Sequence, residues 1–195
     1  MRLRGRTYGN LGSPPERRRQ MATYLAKLLA HALGNRLSFP ARGTAVTHQP
    51  GAQGFEERIR ASFAKQGLMN TLGATLGAVS PGLVEISVRH APAISQQHGY
   101  VHAGAVSAIA DSAAGYAALS LMPANRGVLT AEFKINLVAP ATGDRIVARG
   151  RVVKPGRTLT VAQVEVFSET SGSETLVALL TATLIAIDGR DGVSD

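Results

Sequence analysis

The chain of 195 residues contains no cysteine, which excludes disulfide bonds, thiolate metal sites and cysteine nucleophiles. It has no apolar run long enough to cross a bilayer, and its most apolar stretch, residues 175–187, is short and has the composition of a strand. No glycine-rich phosphate loop follows a predicted strand, and there is no internal repeat. With 45% apolar residues the chain can still form a sizeable core. We therefore expect a globular protein that uses no cofactor and no metal.

Acidic residues are scarce in one part of the chain only. Residues 1–50 contain nine Arg or Lys and a single acid, Glu16, whereas residues 51–195 contain twelve of each sign. The net charge of +8 therefore comes entirely from the first fifty residues. This distribution predicts a neutral globular domain over residues 51–190, preceded by a basic extension over residues 1–50.

The extension leaves three interpretations open. Apolar side chains recur at helical spacing in residues 21–33, so a short amphipathic helix is plausible. The segment could be an organelle presequence, a basic arm for nucleic acid or membrane, or a poorly ordered tail. We favour the tail. Accordingly, we expect a cytoplasmic protein with no membrane span and no nucleic-acid partner.

Periodicity and turn residues predict one long helix among several strands. Two strands are expected around the turn pair Pro81-Gly82, and Gly67 is expected to cap a first helix. A second hairpin is expected through residues 154–157. The predicted helices are residues 55–66 and 103–121, and the predicted strands are residues 71–79, 83–89, 130–137, 145–153, 158–167 and 176–187. The order indicates an α+β protein with an antiparallel sheet and one central helix.

The second helix carries a single charge. Between His102 and Arg126 the only charged residue is Asp111. The surrounding residues are small or apolar on all sides of the helix, which predicts burial all round. A buried carboxylate is costly, and a chain rarely keeps one for packing alone. Asp111 is therefore the leading candidate for a catalytic acid, although a helix acid satisfied by a neighbouring amide remains the alternative.

Residues 130–137 alternate apolar and polar side chains. Ala131, Phe133, Ile135 and Leu137 are expected on one face of a half-exposed strand. Thr130 is expected on the opposite face, together with Glu132, Lys134 and Asn136.

Three segments in this order resemble the PaaI-type thioesterases of the hotdog superfamily. The first joins an amide at Gln96, five further residues, the triplet His102-Ala103-Gly104, and Asp111 nine residues after the histidine. The second is V-L-T-A-E-F-K-I-N-L-V-A-P-A over residues 128–141, and the third is V-K-P-G-R-T-L-T over residues 153–160. The resemblance covers about residues 55–187 and implies a six-stranded sheet wrapped around one helix.

The resemblance also implies roles for individual residues. Asp111 would act as general base or nucleophile on an acyl-CoA thioester. Gln96, His102 and the backbone N–H groups of Ala103 and Gly104 would orient or polarise the carbonyl. Ala103 departs from the family, which has glycine there, but alanine keeps the N–H. Gly115 stands where some relatives have a water-positioning hydroxyl, so that role would pass to Thr130.

The resemblance implies a homodimer or homotetramer in which Gln96 and His102 of one chain face Asp111 of another. A non-catalytic acyl-CoA-binding domain is the alternative to an enzyme, and a plain helix cap is the alternative for His102.

Basic and aromatic residues leave two further questions. One hairpin carries four cations that could bind the phosphates of coenzyme A or form a solvated face. These are Arg149, Arg151, Lys154 and Arg157. Tyr116, Leu119 and Met122 are expected in the core rather than in an acyl pocket. His98 and His102 have no third ligand in the sequence nearby, so a metal site is not expected.

Overall fold

The computed structural model describes residues 48–188. The predicted extension, including the segment at residues 21–33, lies outside the described residues except for its last three positions. The final two residues of the predicted 51–190 domain lie outside them as well.

Three helices and six strands follow one another in the described part. A single turn of 3-10 helix, Pro92–Ile94, precedes the longest helix. The elements are α1 (Phe55–Lys65), α2 (Gly67–Leu72), β1 (Thr75–Ser80), β2 (Leu83–Arg89), α3 (Ala103–Leu119), β3 (Arg126–Leu137), β4 (Arg145–Lys154), β5 (Leu159–Thr170) and β6 (Ser173–Asp188).

The strands form one sheet in the order β1-β2-β4-β5-β6-β3, with every neighbouring pair antiparallel. Strands β1 and β3 are the two edges. Helix α3 packs across one face of this sheet and touches β2 to β6. The α+β prediction of a six-stranded sheet around one central helix is confirmed.

Alanine lets α3 lie close to the sheet. A Cβ atom placed on Gly150 of β4 would come within 2.5 Å of the carbonyl oxygen of Ala113 and 2.6 Å of its carbonyl carbon. Glycine is therefore required where helix and strand backbones approach. Alanine adds little side-chain volume on the helix side and has the highest helix propensity.

The segment before β1 differs from the prediction. Gly67 does not cap α1 but begins α2, and the predicted strand start at Thr71 lies inside this second helix. Gly73 caps the C-terminus of α2, and its positive φ of 65° lets its N–H bond back to the carbonyl of Asn70. The short helix forms because it buries Met69 in the core, a tertiary contact that local pattern does not report.

Strand β3 also differs from the strict alternation expected. A bulge lies between Thr130 and Glu132. Thr130 stands opposite Leu184, and Phe133 stands opposite Ala182; both partners are buried on the face that α3 covers. Thr130 and Phe133 therefore share the helix-side face, which a regular strand would forbid.

Helix α3 is not buried all round. Residues on its sheet side are fully enclosed, but a stripe on the opposite side remains partly open in the described chain. The stripe consists of Gly104, Ala108, Asp111 and Gly115. The predicted burial on every side is therefore wrong for the part of the chain that the structure describes.

Candidate active site

The N-terminus of α3 is capped by His102. Its backbone is extended, and its Nδ1 accepts a hydrogen bond of 2.8 Å from the N–H of Gly104. Within the described residues, the N–H of Ala103 has no acceptor. The helix therefore presents one free N–H at its positive end, where negative charge on an oxygen is stabilised.

Gln96 lies in the loop that leads to this helix. Backbone bonds from Gln96 to Tyr100 and from Gly99 to Gln96 close a tight turn, and Gly99 supplies the positive φ of 82° that it needs. The side-chain oxygen of Gln96 accepts a bond of 2.7 Å from the N–H of His98. The amide NH₂ is then the end of the side chain left to donate, which is the polarity that a substrate carbonyl requires.

Gln96, His102 and Ala103 line a common cavity of about 600 Å³, which we call the loop cavity. Its opposite wall is apolar and comes from the end of β3 and the segment that follows it. That wall consists of Leu137, Val138, Ala139, Pro140 and Ala141, with Val177 from β6. The cavity combines a wall that carries hydrogen-bond donors with an apolar wall, as small-molecule sites commonly do.

Asp111 lies in the middle of α3, on the partly open stripe. One carboxylate oxygen accepts a bond of 2.8 Å from the hydroxyl of Thr130, which the bulge in β3 turns toward the helix. Burial raises the pKa of the Asp111 carboxyl above its ordinary value, and the bond from Thr130 lowers it by less. A carboxylate with a raised pKa is a better proton acceptor, which suits a general base.

Asp111 and Thr130 line a second cavity of about 380 Å³, the Asp111 cavity. Leu68, Met69 and Val128 give it apolar walls. Polar groups that the sequence interpretation missed also line it: Ser62, Gln66, Ser112 and Tyr116. The serine beside Asp111 was visible in the sequence, but nothing local could have connected Gln66 with it.

The two groups of predicted site residues do not meet within one chain. His102 and Asp111 are nine residues apart, which is about 14 Å along a helix axis, and they line different cavities. The structure brings Gln96, His102 and Ala103 together, and separately Asp111 and Thr130. Gly104 is exposed, and its N–H is used by the cap.

The basic hairpin lies apart from both cavities. Arg149 forms ion pairs with Glu85 at 2.9 Å and Glu174 at 2.6 Å, and its guanidinium lies over the ring of Phe167. The bond to Glu174 raises the pKa of Arg149 further, and the same bond lowers the pKa of Glu174. Arg151 donates to Gln163, and the side chains of Lys154 and Arg157 are exposed. Arg149 is therefore neutralised on the sheet surface.

Tyr116, Leu119 and Met122 are buried, which confirms their predicted place in the core. The hydroxyl of Tyr116 nevertheless reaches the polar groups of the Asp111 cavity. No group of three or more His, Cys, Asp or Glu side chains in residues 48–188 could hold a metal ion. None of the helices in that range is long and apolar enough to cross a membrane.

Comparison with known proteins agrees with this architecture. The family model of the thioesterase superfamily matches residues 98–175, from the loop before α3 to the start of β6. A thioesterase family protein from Silicibacter pomeroyi is 49% identical; the match covers 70% of this chain and all of that one, with a TM-score of 0.68. The chain therefore belongs to the thioesterase superfamily, with the hotdog fold.

Two more distant relatives extend the comparison. The Escherichia coli PaaI protein, from the phenylacetic acid degradation operon, shares the fold with a TM-score of 0.63 at 20% identity, over 70% of this chain and 95% of that one. A Halobacterium salinarum protein whose name calls it an esterase is 29% identical over 113 residues, which is 55% of this chain and 74% of that protein.

Proposed function

We propose that this protein hydrolyses acyl-CoA thioesters to the free acid and coenzyme A. Membership of the thioesterase superfamily supports thioester hydrolysis in general. The observation that carries the proposal is Asp111, a half-buried carboxylate with a raised pKa, bonded to Thr130 and lining a cavity in an otherwise uncharged helix.

The residues suggest a division of labour. The N–H of Ala103 and the amide NH₂ of Gln96 would bind the thioester oxygen and stabilise its negative charge. His102 would position both by fixing the helix start. The Asp111 carboxylate would take a proton from water as the water adds to the carbonyl carbon, or would itself attack to form an anhydride that water then cleaves. Cleavage of the C–S bond would release the thiolate, which takes up a proton.

We further propose that two chains build each site. Among residues 48–188, strand β3 pairs only with β6, so its other edge is open there, and it exposes Leu129, Phe133 and Leu137. An open edge with apolar side chains favours pairing with a second copy. Such a homodimer would bring the loop cavity of one chain against Asp111 of the other, and it would cover the open stripe of α3. A tetramer would add a second such contact.

Recognition of the CoA phosphates by the basic hairpin stays a prediction. Arg151, Lys154 and Arg157 have exposed side chains that could reach a phosphate. Arg149, held by two carboxylates, would contribute less. The assignment of residues 51–190 as the working domain also stays a prediction, as do the dispensable extension, the absence of a nucleic-acid partner and the cytoplasmic location.

A thiol-release assay with short, long and aromatic acyl-CoAs tests the proposal. Wild-type protein should release coenzyme A, and Asp111→Asn should lower kcat by about a hundredfold or more because the proton acceptor is lost. Asp144→Asn is the matched control, because Asp144 is exposed and lines neither cavity. Comparable activity in Asp111→Asn and Asp144→Asn would contradict the assignment. Tight binding of acyl-CoA without turnover by the wild type would favour the non-catalytic alternative.

A further inference from the structure

We propose that His90 is a positioning residue for the reaction. Its imidazole links the two walls of the loop cavity and so fixes the amide of Gln96 where the substrate carbonyl would bind. This inference rests on the proposed thioesterase function and adds a residue to it. His90 directly follows β2 and lies outside the three segments that pointed to the site.

Both nitrogens of the His90 ring have a partner. The Nδ1–H donates to the carbonyl oxygen of Gly143 at 3.2 Å, and Nε2 lies 3.0 Å from the hydroxyl oxygen of Ser95. The same hydroxyl donates to the carbonyl of Ala91 at 2.8 Å. The backbone N–H of His90 donates to the carbonyl of Asp144 at 2.9 Å, so the chain from which the ring extends is fixed as well.

The two partners of the ring adjoin opposite walls of the loop cavity. Ser95 directly precedes Gln96, which belongs to the wall that carries hydrogen-bond donors. Gly143 follows Ala141 of the apolar wall by two residues. One side chain therefore links the two walls at the Gln96 end of the cavity.

The opposite end of the turn that carries Gln96 has a link of its own. The N–H of Val101 donates to the carbonyl of Ala141 at 3.0 Å. Ser95 and Val101 also form an isolated β-bridge that closes the turn. The turn is thus attached to the apolar wall directly through Val101, and through the His90 ring at Ser95.

Packing alone does not fix the position of Gln96. A third cavity, of about 510 Å³, adjoins the same turn and is lined by His90, Ser95 and Gln96 among others. Gln96 lines both this cavity and the loop cavity, so open space adjoins it in two places. Because neighbouring atoms leave this space, hydrogen bonds are needed to hold the turn in one place.

The proposed chemistry depends on this placement. An amide stabilises a developing oxyanion only within hydrogen-bond distance of that oxygen, and a misplacement of about 1 Å can lower the rate by about a hundredfold. Loss of the His90 link should displace the Gln96 amide without removing a group that touches the substrate. The expected signature is a lower kcat at a nearly unchanged KM, because the rest of the cavity still binds the acyl-CoA.

The test uses the full-length protein and an acyl-CoA that the wild type hydrolyses. His90→Leu and Ser95→Ala should each lower kcat by about tenfold or more, while KM changes by less than about twofold. Ser95→Thr keeps the hydroxyl, and the extended backbone of Ser95, with φ of −94° and ψ of 150°, suits a β-branched residue. Ser95→Thr should therefore keep kcat near the wild-type value.

Ser87→Ala is the matched control. Ser87 is a buried serine of β2 whose hydroxyl lies 3.0 Å from that of Thr75, and it lines none of the three cavities. Its loss should cost comparable stability and leave kcat unchanged. A double variant tests whether the effect passes through Gln96: adding Ser95→Ala to Gln96→Ala should lower the residual kcat by less than about twofold further.

Hydrogen exchange of the backbone amides in residues 94–102 follows the turn without turnover. It should become faster in His90→Leu and Ser95→Ala but not in Ser87→Ala. Wild-type kcat in both variants, a rise in KM alone, or a full additional loss in the double variant would overturn the inference and leave the proposed hydrolysis standing. If the wild type hydrolyses no acyl-CoA, the proposed function fails, and unchanged exchange in His90→Leu and Ser95→Ala would then overturn the inference as well.

Discussion

The two sides of helix α3 are made from similar residues but are fixed by different constraints. On the sheet side, Ile109, Ala110, Ala113 and Ala117 are 0% exposed. The stripe on the other side remains partly open in a single chain and carries Asp111. One side is determined by packing inside the chain. The other side would be fixed by the proposed substrate and second copy, so similar small residues would serve two different purposes.

The largest expected effect concerns the open side. Gln96→Ala and Asp111→Asn should each be nearly inactive alone, because each removes one half of a shared site. When the two are mixed and refolded together, half of the dimers are mixed and each has one intact site, so about a quarter of wild-type activity should return. The measurement is thiol release against the fraction of mixed dimers.

Two further results would contradict the proposed shared site on the open side of α3. Failure of complementation despite proven mixed dimers would show that the open stripe does not face a partner's loop cavity. A fully active monomer in sedimentation would show the same.

Two glycine substitutions test whether the sheet side of α3 is packed more tightly than its open stripe. Gly150→Ala should lower the free energy of unfolding by about 3 kcal/mol, because its new methyl group would clash with the backbone of Ala113. Gly115→Ala should cost less, because a Cβ there meets nothing within the described chain and alanine favours a helix over glycine by about 1 kcal/mol. Urea unfolding followed by circular dichroism compares the two. Equal losses would mean that the stripe is as tightly packed as the sheet side.

The smallest expected effect is on the pH dependence of catalysis. Hydrolysis needs the ionised Asp111, and burial raises its pKa, so kcat/KM should fall in acid at a higher pH than for an ordinary aspartate. Thr130→Val removes a bond that favours the charged form and should move this limb to still higher pH. Thr130→Ser should keep the limb in place. An identical acid limb in Thr130→Val would argue against the contact with Asp111.

The raised pKa of Asp111 also predicts how the free energy of unfolding changes with pH. The pKa of Asp111 is higher in the folded protein than in the unfolded chain. The free energy of unfolding should therefore fall as pH rises from the ordinary aspartate pKa through the raised one. Asp111→Asn is neutral throughout and should flatten this dependence, measured as Tm against pH.

Sequence patterns predicted most of the fold because the signals for most of its helices and strands lie within the segments themselves. The bounds of β2 agree with the prediction, and α3 begins at Ala103 as expected, since His102 caps it. The strand predicted from Thr71 was wrong because helix α2 forms there instead. This helix is stabilised by the burial of Met69 among core residues that are distant in sequence. No periodicity within a segment reports that kind of contact.

The site was harder to predict for the same reason. Asp111 and the residues around His102 stood out by composition, but the bonds of Gln66 to Tyr116 and Ser112 connect the junction of α1 and α2 with α3. The pairing of Arg149 with Glu85 and Glu174 depends on which strands become neighbours. Residues whose chemistry is unusual for their surroundings could be identified from the sequence. Their bonding partners could not, because these depend on which strands pair and in what register.

The bulge in β3 shifts the alternation of side chains by one residue, so the two halves of the strand place different positions on the helix side. After the bulge, the odd-numbered Phe133 and Ile135 face the helix. Before it, the even-numbered Val128 and Thr130 do, while Leu129 is exposed. An alignment that continues the alternation of the second half through the whole strand would put Ala131 in the place of Thr130, whose hydroxyl bonds Asp111. A lineage with an unbroken strand could therefore gain this contact by inserting one codon, with no change to the residues that follow.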